Sequence, residues 1–466
     1  MRRRAAHLKD RPVLVFSLLA LTIGLIFIFS LAPLSGTDEF THFPRVYQIS
    51  DGTLWERKLP GDQFGGYLPK NINNMVNDYR NLSRESTGSQ YLFDTQKLNK
   101  EYGLTRSVGQ KKVQSIFTST VTYPPWAYAP SIIGVLLAKI LHLPLIWYVY
   151  LGRISSLLAW IILTAVAIKF MPSGKWYLVT VALLPTSLTQ AATISSDGLV
   201  NGISWLIIAI TLAVLAKKVD LRWNLLIAIT ILMIYLSVIK DSYWLIALFP
   251  IIVPIRYFET KWQAIAWKGM GLVSVALAGG WFVFETTKKA SDVVLVPTVG
   301  VDVNTKAQIH YLLHHLLAFT MRALWQPFTK SFDTIYIGII GIYTNRLIYS
   351  SLLVIVLLIF ALYWGLERTK PIPDLINKRL VLCIAAVTIV IGTYLLIAVS
   401  FYLADTSVGS AEVNGMYGRY FLPLLPLLAV FPMVSRRKYY EGDTLGISLP
   451  IIISVIALTS TIMSIQ

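Results

Sequence analysis

Three observations predict an all-α integral membrane protein with about eleven transmembrane helices. Of 466 residues, 55% are hydrophobic and only 14% charged, and mean hydropathy is +0.62; a water-facing globular domain carries nearer a quarter charged residues. Apolar runs of membrane-crossing length recur from Val13 to Ile465. Basic residues cluster between those runs, at Arg2, Arg3 and Arg4, at Lys217 and Lys218, at Arg368 and Lys370, and at Arg436, Arg437 and Lys438. That is the positive-inside pattern, which places these clusters on the cytoplasmic side.

A span needs about 20 apolar residues. The stretches that meet or approach this are 13–34, 147–171, 176–194, 198–216, 223–240, 243–257, 263–284, 347–366, 380–403, 419–434 and 446–464. The first is long enough to span and no small-residue cleavage site follows it, so it reads as a retained helix and not a signal peptide. Alternation of sides then puts 35–128, Ser195–Asp197, Lys240–Ser242, 285–346 and 404–418 outside. Counting 128–142 as a span would reverse the later basic loops, so it is expected to be a juxtamembrane or re-entrant helix. The stretch 307–327, interrupted by His310, His314, His315 and Arg322, reads as amphipathic and interfacial.

The predicted organisation follows. Residues 1–34 hold a cytoplasmic N-terminus and the first transmembrane helix. Residues 35–146 form an extracytoplasmic loop with juxtamembrane helices, 147–284 a transmembrane bundle, 285–346 a second extracytoplasmic loop with an amphipathic helix, and 347–466 the C-terminal transmembrane helices. Within the first loop short helices are expected around 40–50 and 71–83, and the polar stretch "NLSRESTGSQYLFDTQKLNKEYG" is expected to be irregular.

Several function classes are disfavoured. The net charge of +17 is largely accounted for by the topogenic clusters, whose partners are anionic membrane lipids and not nucleic acid. Cys383 is the only cysteine, so there is no disulfide framework and no Cys-based metal site. No GxxxxGK[ST] or GxGxxG loop is present, which argues against a nucleotide-driven pump. Zinc is disfavoured, since His310, His314 and His315 lack local carboxylates; no cofactor is assigned, and a divalent metal stays an open alternative because Asp38, Glu39 and Asp197 could converge, although their spacing does not demand it.

Polar residues beside apolar runs carry the functional reading. In "PLSGTDEFTHFPRVYQISDG", Asp38, His42 and Arg45 share one face of a surface helix, with Pro44 as a possible kink. The acidic pair Asp38 and Glu39 is either a helix cap or a general base at the water–lipid boundary. Asp197 lies in a short outer turn, "SSDGLVNG", as an N-cap or a second carboxylate at that surface. Lys240, beside Asp241, is a snorkelling cation or one held near a lipid phosphate. Arg153 sits inside a span, where a guanidinium needs a reason: a functional role, or an internal pair with Asp38 or Asp197. Arg419, with Tyr420, falls at the outer end of a span, against the positive-inside preference; interfacial anchoring or bidentate phosphate binding would each explain it.

These residues resemble a known family. "PLSGTDEFTHFPRVYQISDG", "YPPWAYAPSIIGVLLAKILHLPLIWYVYLGRISSLLAW", "SSDGLVNG" and "GRYFLPLLPLL" occur in the order found in the bacterial membrane family DUF2142. Asp38, Glu39 and His42 match its early acidic motif, and Gly418, Arg419, Tyr420 and Pro423 its late Gly-Arg-Tyr-x-x-Pro; Tyr417 stands where glutamine is frequent, and Pro33 lies further from the acidic pair than the motif has it. That family in turn resembles the GT-C superfamily of membrane glycosyltransferases, by analogy of layout. The resemblance implies transfer of a sugar from a polyprenyl-phosphate donor to an extracytoplasmic glycan or protein acceptor. Asp38 (with Glu39 second) would be the base, Arg419, Tyr420, Lys240, Arg153 and Asp197 would line the donor phosphate site, and His42 and Arg45 would position the carboxylate or contact the sugar. A transporter or flippase of a lipid-linked glycan, or a non-catalytic envelope-assembly protein, is the alternative.

Overall fold

The computed structural model describes residues 11–60, 63–85, 88–106, 108–109, 111–120, 123–290, 303–329 and 352–436, together with 338, 452, 453 and 455. The chain is mostly helical, and among the described residues four helices are long and apolar enough to cross a membrane: Pro12–Ser30 (α1), Ile146–Phe170, Asp197–Leu215 and Arg379–Asp405.

Proline at its first turn starts α1, where no N–H is needed. After it come Glu39–Ser50 (α2), two antiparallel strands, Arg57–Leu59 (β1) and Gln63–Pro69 (β2), then helices Lys70–Glu85 (α3) and Gly88–Leu104 (α4). Strand Lys112–Ile116 (β3) closes the sheet in the order β1-β2-β3, pairing Gly65 with Ile116 and Pro69 with Lys112. The helices expected at 40–50 and 71–83 are present as α2 and α3. The polar stretch expected to be irregular is instead largely α3 and α4, whose partly polar faces meet through a Tyr79 Oη bond to Asn99 Oδ1 (2.7 Å) and through Tyr102 donating to Asp78. The sheet itself was not expected, because its strands are short and β2 carries a glycine pair that weakens any strand pattern.

Helix Ala129–Ile140 (α5) is only 12 residues long, about 18 Å, too short to cross a bilayer by itself. It lies along Ile146–Phe170 (α6) at Gly134, where a Cβ would fall 2.1 Å from the Leu151 carbonyl oxygen. On the opposite side α6 receives α1: Gly24 lets Leu157 approach, with a would-be Cβ at 2.6 Å. Phe16 packs edge-on against Trp160 (5.5 Å), which in turn packs against Trp205 (6.1 Å) on the next long helix.

The expected span 176–194 is broken. It forms Lys175–Ala182 (α7) and Pro185–Ala191 (α8), because Pro185 cannot continue a helix but can begin one. Asp197–Leu215 (α9) follows and is almost wholly buried within the protein, so its all-round apolar surface is a core and not a lipid face. Trp223–Ile239 (α10) is a single helix; 243–257 is divided into Trp244–Leu248 (α11) and two 3-10 turns at Pro250 and Pro254; 263–284 lies inside the continuous helix Lys261–Ala290 (α12). The amphipathic stretch 307–327 forms two ten-residue helices, Thr305–His314 (α13) and Leu316–Trp325 (α14). Leu352–Glu367 (α15) and Arg379–Asp405 (α16) correspond to 347–366 and 380–403. The expected span at 446–464 lies outside the described residues except for 452, 453 and 455.

The stretch expected as the span 419–434 is a 3-10 segment, Gly418–Ala429, ending in a short helix, Val430–Met433. Its prolines explain both the geometry and the packing. Pro423 and Pro426 donate no hydrogen bonds, so the 3-10 ladder lacks its bonds to the carbonyls of Tyr420 and Pro423. Tyr243 Oη replaces the first, donating to Tyr420 O (2.8 Å), and two further buried side chains hold the segment: Trp205 Nε1 donates to Leu422 O (3.0 Å) and Tyr177 Oη to Leu425 O (2.9 Å). These bonds fix the late segment to α7, α9 and the Lys240 turn, which sets the position of Arg419.

Candidate active site

α1 ends at Ser30, and the chain turns back through Leu34 and Asp38, both with φ near +60° (61° and 57°). A left-handed conformation at a non-glycine residue costs on the order of 1 kcal/mol and is held only by its surroundings. At Asp38 the backbone carbonyl accepts from Thr41 N (2.9 Å), His42 N (3.1 Å) and Thr41 Oγ1 (2.7 Å), starting α2. The side chain takes no part in capping. Its carboxylate is 54% exposed, and one oxygen lies 3.3 Å from Arg419 Nη2, across 381 positions of sequence.

Glu39 is placed quite differently. It is fully buried and paired bidentately with Arg153 of α6: Nε to Oε1 at 2.8 Å and Nη2 to Oε2 at 2.6 Å. Oε1 also accepts from Ile194 N (2.9 Å) and Oε2 from Gly36 N (3.1 Å). Arg153 spends its remaining donors on the carbonyls of Ile28 and Leu31 (3.0 Å each) and Ala32 (2.8 Å). Those carbonyls close the end of α1, where orphan acceptors and the helix dipole favour a cation. The internal partner of Arg153 is thus Glu39, in place of the Asp38 or Asp197 considered from the sequence, and neither member faces a cleft. Arg45 is also turned away from Asp38. It donates to Gln48 Oε1 (2.6 Å) and Leu54 O (2.9 Å) and lies 3.7 Å from Glu56, tying the end of α2 to the strand region.

Around Asp38 the structure gathers His42, Asp197, Lys240, Arg419 and Tyr420. Lys240 Nζ bonds Asp197 Oδ1 at 2.5 Å and lies 5.1 Å from the Tyr420 ring centre and 6.0 Å from that of Tyr123. Asp197 Oδ2 accepts from Gln190 Nε2 (3.2 Å), and Gln190 Oε1 accepts from Asn201 Nδ2 (2.8 Å), so a polar chain fixes that carboxylate. The Arg419 guanidinium lies against the rings of Tyr417 (4.7 Å) and Tyr420 (4.8 Å) and donates to Tyr420 Oη (2.9 Å), while its Nε is buried without a hydrogen-bond partner. A small cleft beside it is lined by Thr37, Thr186, Thr189, Gln190, Tyr417 and Arg419. Two cations thus stand among aromatic rings, a setting that strengthens their attraction for an anion by excluding water. Among the described residues no three His, Cys, Asp or Glu side chains group as metal ligands, and Asp38, Glu39 and Asp197 do not converge.

His42 shares a 2.7 Å hydrogen bond with Tyr128 Oη and lies beside Tyr123. Burial lowers its pKa below the usual 6.5, outweighing the upward pull of Asp38, Asp197 and Glu39, with Lys240 also pushing it down. The folded state therefore keeps His42 neutral where the unfolded chain takes up a proton. The stability it contributes is complete above pH 6.5 and lost as pH falls below it. His42→Gln cannot titrate, so its melting temperature should fall less steeply than wild type between roughly pH 7.5 and pH 5; parallel curves would contradict this. Burial likewise pushes Tyr123 up to about 12, so it remains a neutral donor.

Tyr123, Tyr128, Tyr243 and Gln190 were not singled out from the sequence as site residues. The run "YPPWAY" was the available signal for the first two: aromatics interleaved with prolines just before an apolar stretch.

Among the described residues four membrane-length apolar helices, one of them the buried α9, together with further short apolar helices, define a multi-pass helical membrane protein. The family described as "Predicted membrane protein (DUF2142)" matches residues 21–428, most of the chain, and the protein belongs to it. No curated protein and no solved structure matches the chain.

Proposed function

We propose that the protein is a GT-C-like integral-membrane glycosyltransferase. It moves a sugar from a polyprenyl-phosphate donor to a glycan or protein acceptor during cell-envelope glycan synthesis. In this reading the N-terminus is cytoplasmic, the protein resides in the plasma (inner) membrane, and the site opens on the extracytoplasmic face. The observation that supports it best is the exposed Asp38 carboxylate, in a constrained backbone, 3.3 Å from Arg419 and beside the Lys240–Asp197 pair.

The acceptor hydroxyl oxygen attacks the anomeric carbon, and the bond from that carbon to the donor phosphate oxygen breaks with its electron pair leaving on phosphate. Asp38 takes the hydroxyl proton. Arg419, preset by the tyrosine rings, and Lys240 meet the negative charge that grows on the phosphate. Approach of the phosphate draws Arg419 from Asp38, which frees the carboxylate to act as base. Tyr420 and His42 hold the guanidinium and the local backbone, and Asp197 holds Lys240. Direct displacement inverts the anomeric centre. Glu39 and Arg153, saturated with internal bonds, act here as positioning residues that anchor the turn carrying Asp38.

Purified protein in lipid vesicles, given radiolabelled polyprenyl-phosphate sugars and candidate acceptors, tests the reading. Labelled acceptor supports it; movement of the donor across the bilayer without transfer would select a flippase, and neither outcome would select an assembly role.

A further inference from the structure

The pair α13–α14 has two unlike faces. Its inner face carries two buried glutamines. Gln308 Nε2 donates to Tyr402 O (2.7 Å) and to Thr406 O. Gln326 brackets the peptide of Val413, donating Nε2 to its carbonyl (2.7 Å) and accepting its N–H on Oε1 (2.9 Å). Both amides therefore grip the stretch between α16 and the Arg419 segment, where Gly418 begins the 3-10 turn. The outer face of α14 and the turn after it is an apolar stripe at helical spacing, Leu317, Met321, Trp325 and Phe328, each at least 63% exposed, continued on α13 by the exposed Leu313 beside the exposed His310 and His314. Such a stripe needs a partner.

We infer that this partner is the lipid of the leaflet on the Arg419 side, and that α13–α14 form a membrane-immersed arm holding residues 406–413, and through them Arg419, in place. Three observations favour lipid over another protein surface. Residues 303–329 contain Lys306, His310, His314, His315 and Arg322 and no Asp or Glu, a basic amphipathic composition suited to anionic headgroups. The exposed face of α16, through Ile384, Val387 and Ile391, leads directly to the arm, since Tyr394 Oη donates to Ala323 O (2.6 Å). The arm's helices are ten residues each, about 15 Å, so they can lie in one leaflet but neither can cross. The inference does not rest on the transfer reaction, because the glutamine contacts and the stripe exist whatever Arg419 binds.

The test uses the full chain with Cys383→Ala and one spin label at Leu317→Cys or Met321→Cys, in vesicles of phosphatidylethanolamine and phosphatidylglycerol. Immersion predicts collision of the label with oxygen and shielding from a water-soluble nickel chelate. Access by the chelate would place the stripe in water, and shielding from both would place it against protein, a second copy included; either overturns the proposal. A label at Val408→Cys, exposed in the held stretch, reads the second half. Gln326→Ala and, separately, Gln308→Ala should raise its mobility in protein that remains folded. An unchanged spectrum in both would overturn the coupling to the Arg419 segment.

Discussion

Replacing Asp38 with asparagine is expected to lower sugar transfer by about 10²–10⁴-fold, the usual worth of a positioned general base, while leaving folding and membrane insertion unchanged. Asparagine keeps the shape and tolerates the left-handed backbone at position 38, so only the proton-accepting oxygen is removed. The stability cost is small because the carboxylate is 54% exposed and meets Arg419 through one 3.3 Å contact, while the guanidinium keeps its Tyr420 bond and its two tyrosine ring contacts. Radiolabel transfer and thermal unfolding of the same preparation check both halves. Full transfer by this variant would remove the role assigned to Asp38.

One residue further on the expectation inverts. Glu39→Gln should destabilise the protein by about 3–5 kcal/mol, because it strands the Arg153 charge in a water-free interior. Arg153→Met should do the same, leaving the buried Glu39 carboxylate without its counter-charge and the last carbonyls of α1 without their donors. A fall in melting temperature, or loss of folded protein after extraction, checks the prediction. Unchanged stability in both variants would show that the buried pair is not what anchors the Asp38 turn. Adjacent carboxylates of like chemistry thus differ in consequence because one is exposed beside Arg419 and its neighbour is buried at the junction of α1 and α6.

Much of this was legible in the residues themselves. Apolar runs marked α1, α6, α9 and α16, since length and composition alone decide whether a helix can cross a bilayer. Asp38 and Arg419 were each legible as candidate site residues, but the sequence offered Arg419 a phosphate or interfacial anchoring and not an ion pair with Asp38. Where the expectation differed, proline was the usual reason. Pro185, Pro250, Pro254, Pro423 and Pro426 interrupt stretches that hydropathy reads as continuous, because hydropathy averages composition and ignores missing N–H donors. The division of labour between Asp38 and Glu39 was not legible. It depends on Arg153, more than a hundred positions away, and on the Ile194 amide, which no local spacing connects to the acidic motif.

The central claim is that Asp38 and Arg419 act together on one transfer reaction, and a double-mutant cycle measures it most directly. Transfer rates of Asp38→Asn, Arg419→Gln and the combined variant should be non-additive, the second substitution costing far less once the first is made, as for residues that work as a unit. Independent, multiplicative losses, or transfer that survives in all three proteins, would contradict the account.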